Sequence, residues 1–409
     1  VGMPDEVLIT HAHTDHTGAL PVLVNDLPAD VKVYSTPATR AITQVLLEDT
    51  ANRGKREQQD GKSPLYSPED VAAVLEHMVD VRWYNPVPLC DGALIATWIP
   101  AGHILGAAMI YIEGQRESIL MTGDVSVADQ LTIPGLKVPD WCRRPDVMVM
   151  ESTYGKLCRH KDRAEEENRL VSDVVEVIEA GGKVLIPAFA VGRSQEVILI
   201  LKQAMQRGQI PKFPVWIDGM VQKINTVYSD FRNELSPPWC NAETDEKIFF
   251  SDTIKPVPCD ADRDSVASWE PCCIIASSGM LIGGCSSGYA EQLAGDRKNL
   301  IAITGYQAKG TPGHKLEKLP KVGDFTEGEW KLDDETSVSV KCQVEPQYSL
   351  SAHADAGELT GLVEKVQPRR LFLVHGDKDA PRKLRQCVQK TSPNVDVQLP
   401  QNGDSYSIL

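Results

Sequence analysis

The chemistry-bearing residues of this chain are concentrated in one short segment, His11-Ala12-His13-Thr14-Asp15-His16, which presents three imidazoles and a carboxylate. With nine histidines in 409 residues, three at fixed positions arise by chance about once in 10⁵ starting points. Imidazole and carboxylate are the borderline ligands that zinc favours. Four such groups overload one tetrahedral ion that must also hold water, so two ions sharing the cluster are the natural solution. The bland alternative is a polar surface loop, which would crowd imidazoles together without return. Additional ligands must come from elsewhere, and three predicted strand ends offer them: His103 in Ala-Gly-His-Ile-Leu-Gly, Asp124 in Thr-Gly-Asp, and His375 in Leu-Val-His-Gly-Asp. Alone, each reads first as a hydrogen-bonded structural residue; read with the loop, they complete a ligand set.

Short apolar runs must deliver these groups. Residues 7–9 form a strand leading into the histidine loop, and 371–374 form one leading to His375. β-Rich runs at 94–99, 109–112 and 118–121, split by glycine-rich turns, read as neighbouring strands around His103 and Asp124. Between the first strand and these lie a strand at 31–35 and a helix opening at Pro37, with Ala41, Ile42, Val45 and Leu46 on one face. A second helix is capped by Ser67, with Pro68 at its first position, Asp70 closing a capping box, and Val71, Val74, Leu75 and Met78 as its apolar stripe.

Beyond Glu151 the texture changes. A helix bearing Val171, Val174, Val175 and Ile178 stops at Gly181-Gly182. A strand at 183–188 then leads through Gly192 into a helix bearing Val197, Ile198, Leu201 and Met205, and apolar runs follow at 215–217, 272–276 and 300–304. Strands alternating with helices predict a parallel α/β sheet in a second domain at about 156–346. The acidic stretch 322–336 reads as a solvated loop.

The 57 acidic against 42 basic residues leave a net charge of −15, whose far field repels phosphate and excludes a generic nucleic-acid or membrane adhesive. Screening over about 8 Å still leaves room for a local basic cleft. Ten cysteines without a C-x-x-C pair point to reduced core thiols and a cytoplasmic setting. No apolar run reaches the roughly 20 residues of a membrane span, and the first residues lack the pattern of a signal peptide.

The chain resembles the metallo-β-lactamase superfamily, and within it the β-CASP nucleases, over essentially its whole length. Eight ordered motifs carry the resemblance: His-Ala-His-Thr-Asp-His-Thr-Gly-Ala-Leu-Pro (11–21), Gly-His-Ile-Leu-Gly-Ala-Ala (102–108), Thr-Gly-Asp (122–124), Glu-Ser-Thr-Tyr-Gly (151–155), Pro-Ala-Phe-Ala-Val-Gly-Arg-Ser-Gln-Glu (187–196), Gly-Tyr-Gln-Ala-Lys-Gly-Thr (305–311), Ser-Ala-His-Ala-Asp (351–355) and Val-His-Gly-Asp (374–377). The resemblance implies an α/β fold. Its parts are a metallo-β-lactamase αββα sandwich, over 1–155 and 347–409, and an inserted parallel α/β β-CASP domain over 156–346.

It further implies two zinc ions, one held by His11, His13 and His103, the other by Asp15, His16 and His375, with Asp124 bridging. An activated water would attack phosphorus in line, and Asp15 would orient or deprotonate it. Glu151 and His353 match the family's extra acidic and histidine positions. A carboxylate beside an imidazole keeps a proton available for the leaving 3′-oxygen, which makes His353 a general acid or phosphate clamp. The alternative is a hinge histidine tying the domains together. RNA-acting members carry histidine where His375 stands, and DNA-acting members usually carry valine, so RNA is the implied partner. Ser351, His353, Arg193 and Lys309 are the implied substrate contacts. Lys309, Lys315, Lys318 and Lys321 against Glu317 either line a backbone-tracking channel or form a solvated face. Of the remaining histidines, His77 and His160 read as ordinary exposed residues and His314 as a candidate phosphate contact.

Family members carry further strands ahead of the histidine loop, so the strand at 7–9 is expected to lack neighbours in this sequence. Residues 402–409 read as a closing turn and strand. Family analogy allows a homodimer. The leading reading is a two-zinc ribonuclease, endonucleolytic or 5′-to-3′ exonucleolytic. Its competitors are an inactive structural partner and a small-molecule hydrolase. The complete visible ligand set counts against the first, and the inserted domain against the second.

Overall fold

The protein is described by a computed structural model over residues 3–59, 64–241, 247–268, 270–333, 336–377 and 379–407. It forms two compact units, Val1–His160 with Ala352–Leu409, and Lys161–Ser351. The second is an insertion in the sequence of the first.

The first unit contains two sheets. The smaller has three parallel strands in the order Glu6–Leu8, Lys32–Ser35, Met78–Asp80. Strand side chains alternate between faces. Val7, Ile9, Val33 and Met78 therefore pack with Leu20, Val24, Leu47, Val71 and Val74 of the helices Leu20–Val24, Pro37–Gln59 and Pro68–His77. Leu8, Tyr34 and Val79 turn the other way, onto Ala96, Trp98, Ile110 and Met121 of the larger sheet. The larger sheet runs Asp396–Gln398, Arg370–Val374, Val147–Glu151, Ser118–Met121, Ala108–Glu113, Leu94–Pro100, Val87–Leu89. Helices Ala356–Val366 and Ala380–Thr391 pack on each other, and the second also packs on Arg370–Val374, which completes the αββα layering.

Five strands of the larger sheet share one direction: Leu94–Pro100, Ser118–Met121, Val147–Glu151, Arg370–Val374 and Asp396–Gln398. Their C-terminal ends open on one edge, where loops are free to carry function while the strands hold them rigidly.

The second unit is built on six parallel strands in the order Ile254–Pro256, Val215–Asp218, Cys273–Ala276, Val184–Pro187, Leu300–Ala302, Gln343–Glu345. Val184–Pro187 and Cys273–Ala276 are buried at every residue, as expected for central strands covered on both faces. The helices Arg163–Glu179 and Arg193–Gln206 flank the Val184–Pro187 strand in sequence, as the periodicity predicts.

Several expectations need correction. The first strand has a neighbour, because Glu6–Leu8 pairs in parallel with Lys32–Ser35. Met78 ends the second helix and starts a strand, although the Ser67–Asp70 capping box forms as read. The stretch 322–336 is not simply a solvated loop: Lys321–Val322 pairs with Phe325–Thr326, and Gly328–Lys331 pairs with Ser337–Val340. Trp330 anchors the second hairpin, fully buried, its indole N–H donating to the Pro312 carbonyl at 2.9 Å. Asp334 and Glu335 lie outside the described residues. At the end of the chain a turn forms at Asn402-Gly403, but 404–407 form no strand, and 408–409 lie outside the described residues. All ten cysteines are free, but only Cys142, Cys272, Cys273, Cys285 and Cys342 are buried. No helix among the described residues is long and apolar enough to cross a membrane.

Candidate metal centre

Every donor of the site sits at or just beyond the end of a strand in the first unit. His11 and His13 follow Glu6–Leu8, and His13 caps the short helix Thr14–Thr17 that carries Asp15 and His16. His103 follows Leu94–Pro100, Asp124 follows Ser118–Met121, Glu151 ends its own strand, and His375 follows Arg370–Val374. Glycine makes the close approaches possible. Gly102 has φ +74°, and a Cβ there would lie 2.3 Å from the Ser126 carbonyl oxygen; Gly123, at φ +56°, leaves no room for one against Thr10. His375 itself takes the left-handed conformation, with φ +51°, a strained geometry that the surrounding sheet must sustain.

Two donor groups result. His11, His13, His103 and Asp124 each offer an atom within 4.8 Å of the others, and so do Asp15, His16 and His375. Asp124 lies between them, with Oδ2 at 3.3 Å from His11 Nε2 and 3.7 Å from both His103 Nε2 and His16 Nε2. Its Oδ1 is 3.7 Å from His375 Nδ1. Asp124, Glu151 and His353 form a third such group, with His353 Nδ1 at 3.0 Å from Glu151 Oε2.

Outer partners set the histidine tautomers. His103 Nδ1 donates to the Ala352 carbonyl at 2.8 Å, leaving the Nε2 lone pair toward His13. Thr10 Oγ1 meets His11 Nδ1 at 3.2 Å, and Thr153 Oγ1 meets His375 Nδ1 at 2.9 Å. The Nε2 atoms of His11 and His16 are buried and make no hydrogen bond. A buried polar atom without a hydrogen bond is costly, and here two of them face carboxylate oxygens.

Electrostatics fit the same picture. Burial, then the His11 imidazole, pulls His13 down to about 3. Burial and the rings of His353, His13 and His11 hold His103 well below its ordinary value, and burial followed by His11 lowers His16. Such rings stay neutral, which is the state that binds a metal. Burial pushes the Asp124 carboxyl up, but the His11 imidazole, 3.3 Å away, and the rings of His103 and His353 outweigh that and hold it low. The Asp15 carboxylate, at 3.2 Å, raises His375 to about 9, and the same bond keeps Asp15 below the carboxylate range. A site that draws a proton so strongly onto an imidazole is one that favours a cation. Burial lowers His353, but Glu151 and Asp124 more than offset it, so its imidazole holds a proton above the ordinary range. Zinc fits this donor set by ligand chemistry, by its orphaned nitrogens and by its oriented tautomers.

His160 departs from the sequence reading. It is half-buried, not exposed, and Nε2 donates to the His353 carbonyl at 3.0 Å. Thr10, Thr153 and the Ala352 carbonyl were also missed; the two threonines adjoin donor motifs, but the His160 link spans 193 residues and leaves no local signal. His77 is half-buried as well, with Nδ1 at 2.6 Å from the Val31 carbonyl, and the His314 N–H is taken up by Thr311 Oγ1. Arg193, Lys309 and Ser351 belong to the second unit. Arg193 opens the helix after Val184–Pro187, and Lys309 is exposed on the loop after the neighbouring strand Leu300–Ala302. Lys321 pairs with Glu345 at 2.9 Å.

Donor loops at the strand ends of an αββα unit, with a parallel α/β unit inserted in its sequence, define a metallo-β-lactamase fold carrying a β-CASP insertion. Comparison with known families agrees. Residues 1–137 match a metallo-beta-lactamase superfamily domain, 194–316 a Beta-Casp domain, and 337–400 a Zn-dependent metallo-hydrolase RNA specificity domain. The chain is 31% identical to an RNase J-like protein of Methanocaldococcus jannaschii, over 95% of this chain and 85% of that one. It therefore belongs to the β-CASP family of the metallo-β-lactamase superfamily. It is also 35% identical to the transcription termination factor FttA of Pyrococcus horikoshii, over 100% of this chain and 62% of that protein. Identity to Integrator complex subunit 11 of Danio rerio is 32%, over 99% and 64%. The chain thus spans less than two thirds of the length of these two relatives. A crystal structure of a protein of unknown function from Enterococcus faecalis shares the fold, with a TM-score of 0.54 at 13% identity over 98% of this chain and 80% of that one.

Proposed function

We propose that the chain is a zinc-dependent ribonuclease that hydrolyses RNA phosphodiester bonds. The observation that carries this reading is the placement of Asp124 between two donor triads, with the His353–Glu151 pair beside them. In it, His11, His13 and His103 would hold one zinc, Asp15, His16 and His375 the other, and Asp124 would serve both. When bound, the ions supply Lewis acidity and a nucleophile derived from water at neutral pH.

The chain's own groups do the rest. Asp15, the most exposed donor at 61% of its side chain, orients the attacking water and accepts its proton. His353, charged beside Glu151, gives a proton to the departing 3′-oxygen. Arg193, Lys309 and Ser351 bind backbone phosphates and the ribose chain. RNA is favoured as substrate by the match to an RNA specificity domain and by the RNase J-like relative. Cytoplasmic action suits ten free thiols.

The test compares the wild-type chain with His13→Ala, measuring zinc per chain and cleavage of 5′-labelled RNA and matched DNA. Two zinc per chain and cutting of RNA but not DNA, both reduced in the variant, are expected. Zinc-loaded wild type that leaves RNA intact overturns the reading.

A further inference from the structure

The loop that carries His353 is held almost peptide by peptide. Ala352 O accepts from His103 Nδ1 at 2.8 Å, and Ala354 N–H donates to Val125 O at 2.7 Å. Val125 N–H in turn donates to Glu151 Oε1 at 2.6 Å, on the same carboxylate that meets His353 Nδ1. Asp355 caps the helix Ala356–Val366, accepting the Glu358 N–H at 2.9 Å.

His160 closes this cradle. Its Nε2 lies 3.0 Å from the His353 carbonyl oxygen, and since a carbonyl only accepts, the ring carries its hydrogen on that nitrogen. Its backbone N–H donates to Asp355 Oδ2 at 2.8 Å. The ring stands edge-on against Tyr154 at 5.0 Å between centroids, and Tyr154 forms a backbone bridge with Asp355. One residue therefore grips the loop on both sides of Ala354.

We propose that His160 is a positioning residue, which fixes through the His353 carbonyl and Asp355 the direction in which the His353 imidazole presents its proton. The proposal rests on the reading of His353 as general acid. In that step the water oxygen bonds to phosphorus, the P–O3′ bond breaks, and the His353 proton moves to O3′. Glu151 holds the imidazole at Nδ1, and the direction of the ring beyond that point follows where the backbone stands. A displacement of about 1 Å costs on the order of 100-fold in rate.

The experiment uses the zinc-loaded full chain and its variants His160→Ala, His160→Gln and His353→Ala. The substrate is a single-stranded RNA oligonucleotide with either oxygen or sulfur as the bridging 3′ atom at one linkage. Sulfur departs as a thiolate and needs no proton. With the oxygen substrate, His160→Ala is expected to lower kcat about 10- to 100-fold with KM and zinc content unchanged. On the sulfur linkage that loss should nearly vanish, and His160→Gln, whose amide N–H reaches the same carbonyl, should recover most of the oxygen rate. His353→Ala should show the same pattern more deeply. Equal losses on both linkages for His353→Ala overturn the general-acid reading itself. If His353→Ala behaves as expected while His160→Ala cuts like wild type, loses rate equally on both linkages or loses zinc, the positioning role is overturned.

Discussion

Both units bury charged side chains, but they do so in opposite ways. In Lys161–Ser351 the buried charges of Asp218, Glu196 and Lys202 each meet a complement. Asp218 takes Arg263 Nε at 2.7 Å and the Tyr289 hydroxyl at 2.9 Å, Glu196 takes Arg163 Nη2 at 2.6 Å, and the Lys202 ammonium sits on the carbonyls of Lys247 and Ile248. In the first unit the groups of the metal centre are instead of one kind, imidazole nitrogens and carboxylate oxygens. Their lone pairs converge, and two of the nitrogens have no hydrogen bond. A cluster that satisfies itself is architecture, whereas a cluster of like donors is completed from outside. Burial alone does not distinguish the two, and the sign and type of the partners do.

The contrast can be broken most directly at its two central aspartates. Asp124→Ala is expected to lower zinc per chain and to reduce RNA cleavage by at least about 10³-fold, roughly 4 kcal/mol of barrier. Inductively coupled plasma analysis and a gel assay read both; retained zinc would place Asp124 with the structural acids. Asp218→Asn should do the reverse. It leaves Arg263 and the buried Tyr289 hydroxyl poorly matched and costs about 2–3 kcal/mol in urea unfolding, with zinc content unchanged.

A finer division runs inside the metal centre. Side chains of His11 and His103 are 0% and 2% exposed, whereas those of His375 and Asp15 are 35% and 61% exposed. Charge interactions weaken toward solvent, so on the two-zinc reading a chelator should strip the ions in separate steps at least about tenfold apart in affinity, ~1.4 kcal/mol. Asp15→Ala should remove the weaker step. A single concerted step would merge the two triads into one site.

The smallest effect concerns Glu166. Burial raises its carboxyl, but Arg169, the Ser349 N–H and Lys161 outweigh that and leave it below its ordinary 4.5. A carboxyl depressed on folding stabilises the protein above its unfolded value, and that contribution disappears as the pH falls through the folded value. Glu166→Gln should therefore cost about 1 kcal/mol near neutral pH, and the gap from wild type should close as the pH falls below about 4.5. A pH-independent gap would mean that shape, not charge, is what Glu166 contributes.

Much of this was legible in the residues. The histidine loop, the strand-end donors and the Ser67 capping box are local signals, written within a few positions of where they act. The inserted sheet showed itself in runs such as 183–188, because a strand covered on both faces must be apolar throughout. What escaped was set by distant partners. Trp330 folds an acidic stretch into a hairpin by reaching Pro312, and the Glu6–Leu8 strand finds its neighbour beyond a helix. His160 is defined by His353 and Asp355, which no window around residue 160 contains.

The interrupted order of the first unit also has a consequence in time. Asp15 and His375 touch across 360 positions, and the whole of Lys161–Ser351 is translated between them. At roughly 5–20 residues per second, a nascent chain spends on the order of 20–70 s with the His11 loop made and neither His353 nor His375 yet synthesised. On the ribonuclease reading, a centre that would cut RNA is therefore chemically incomplete for most of the time the chain hangs from a ribosome, itself built of RNA.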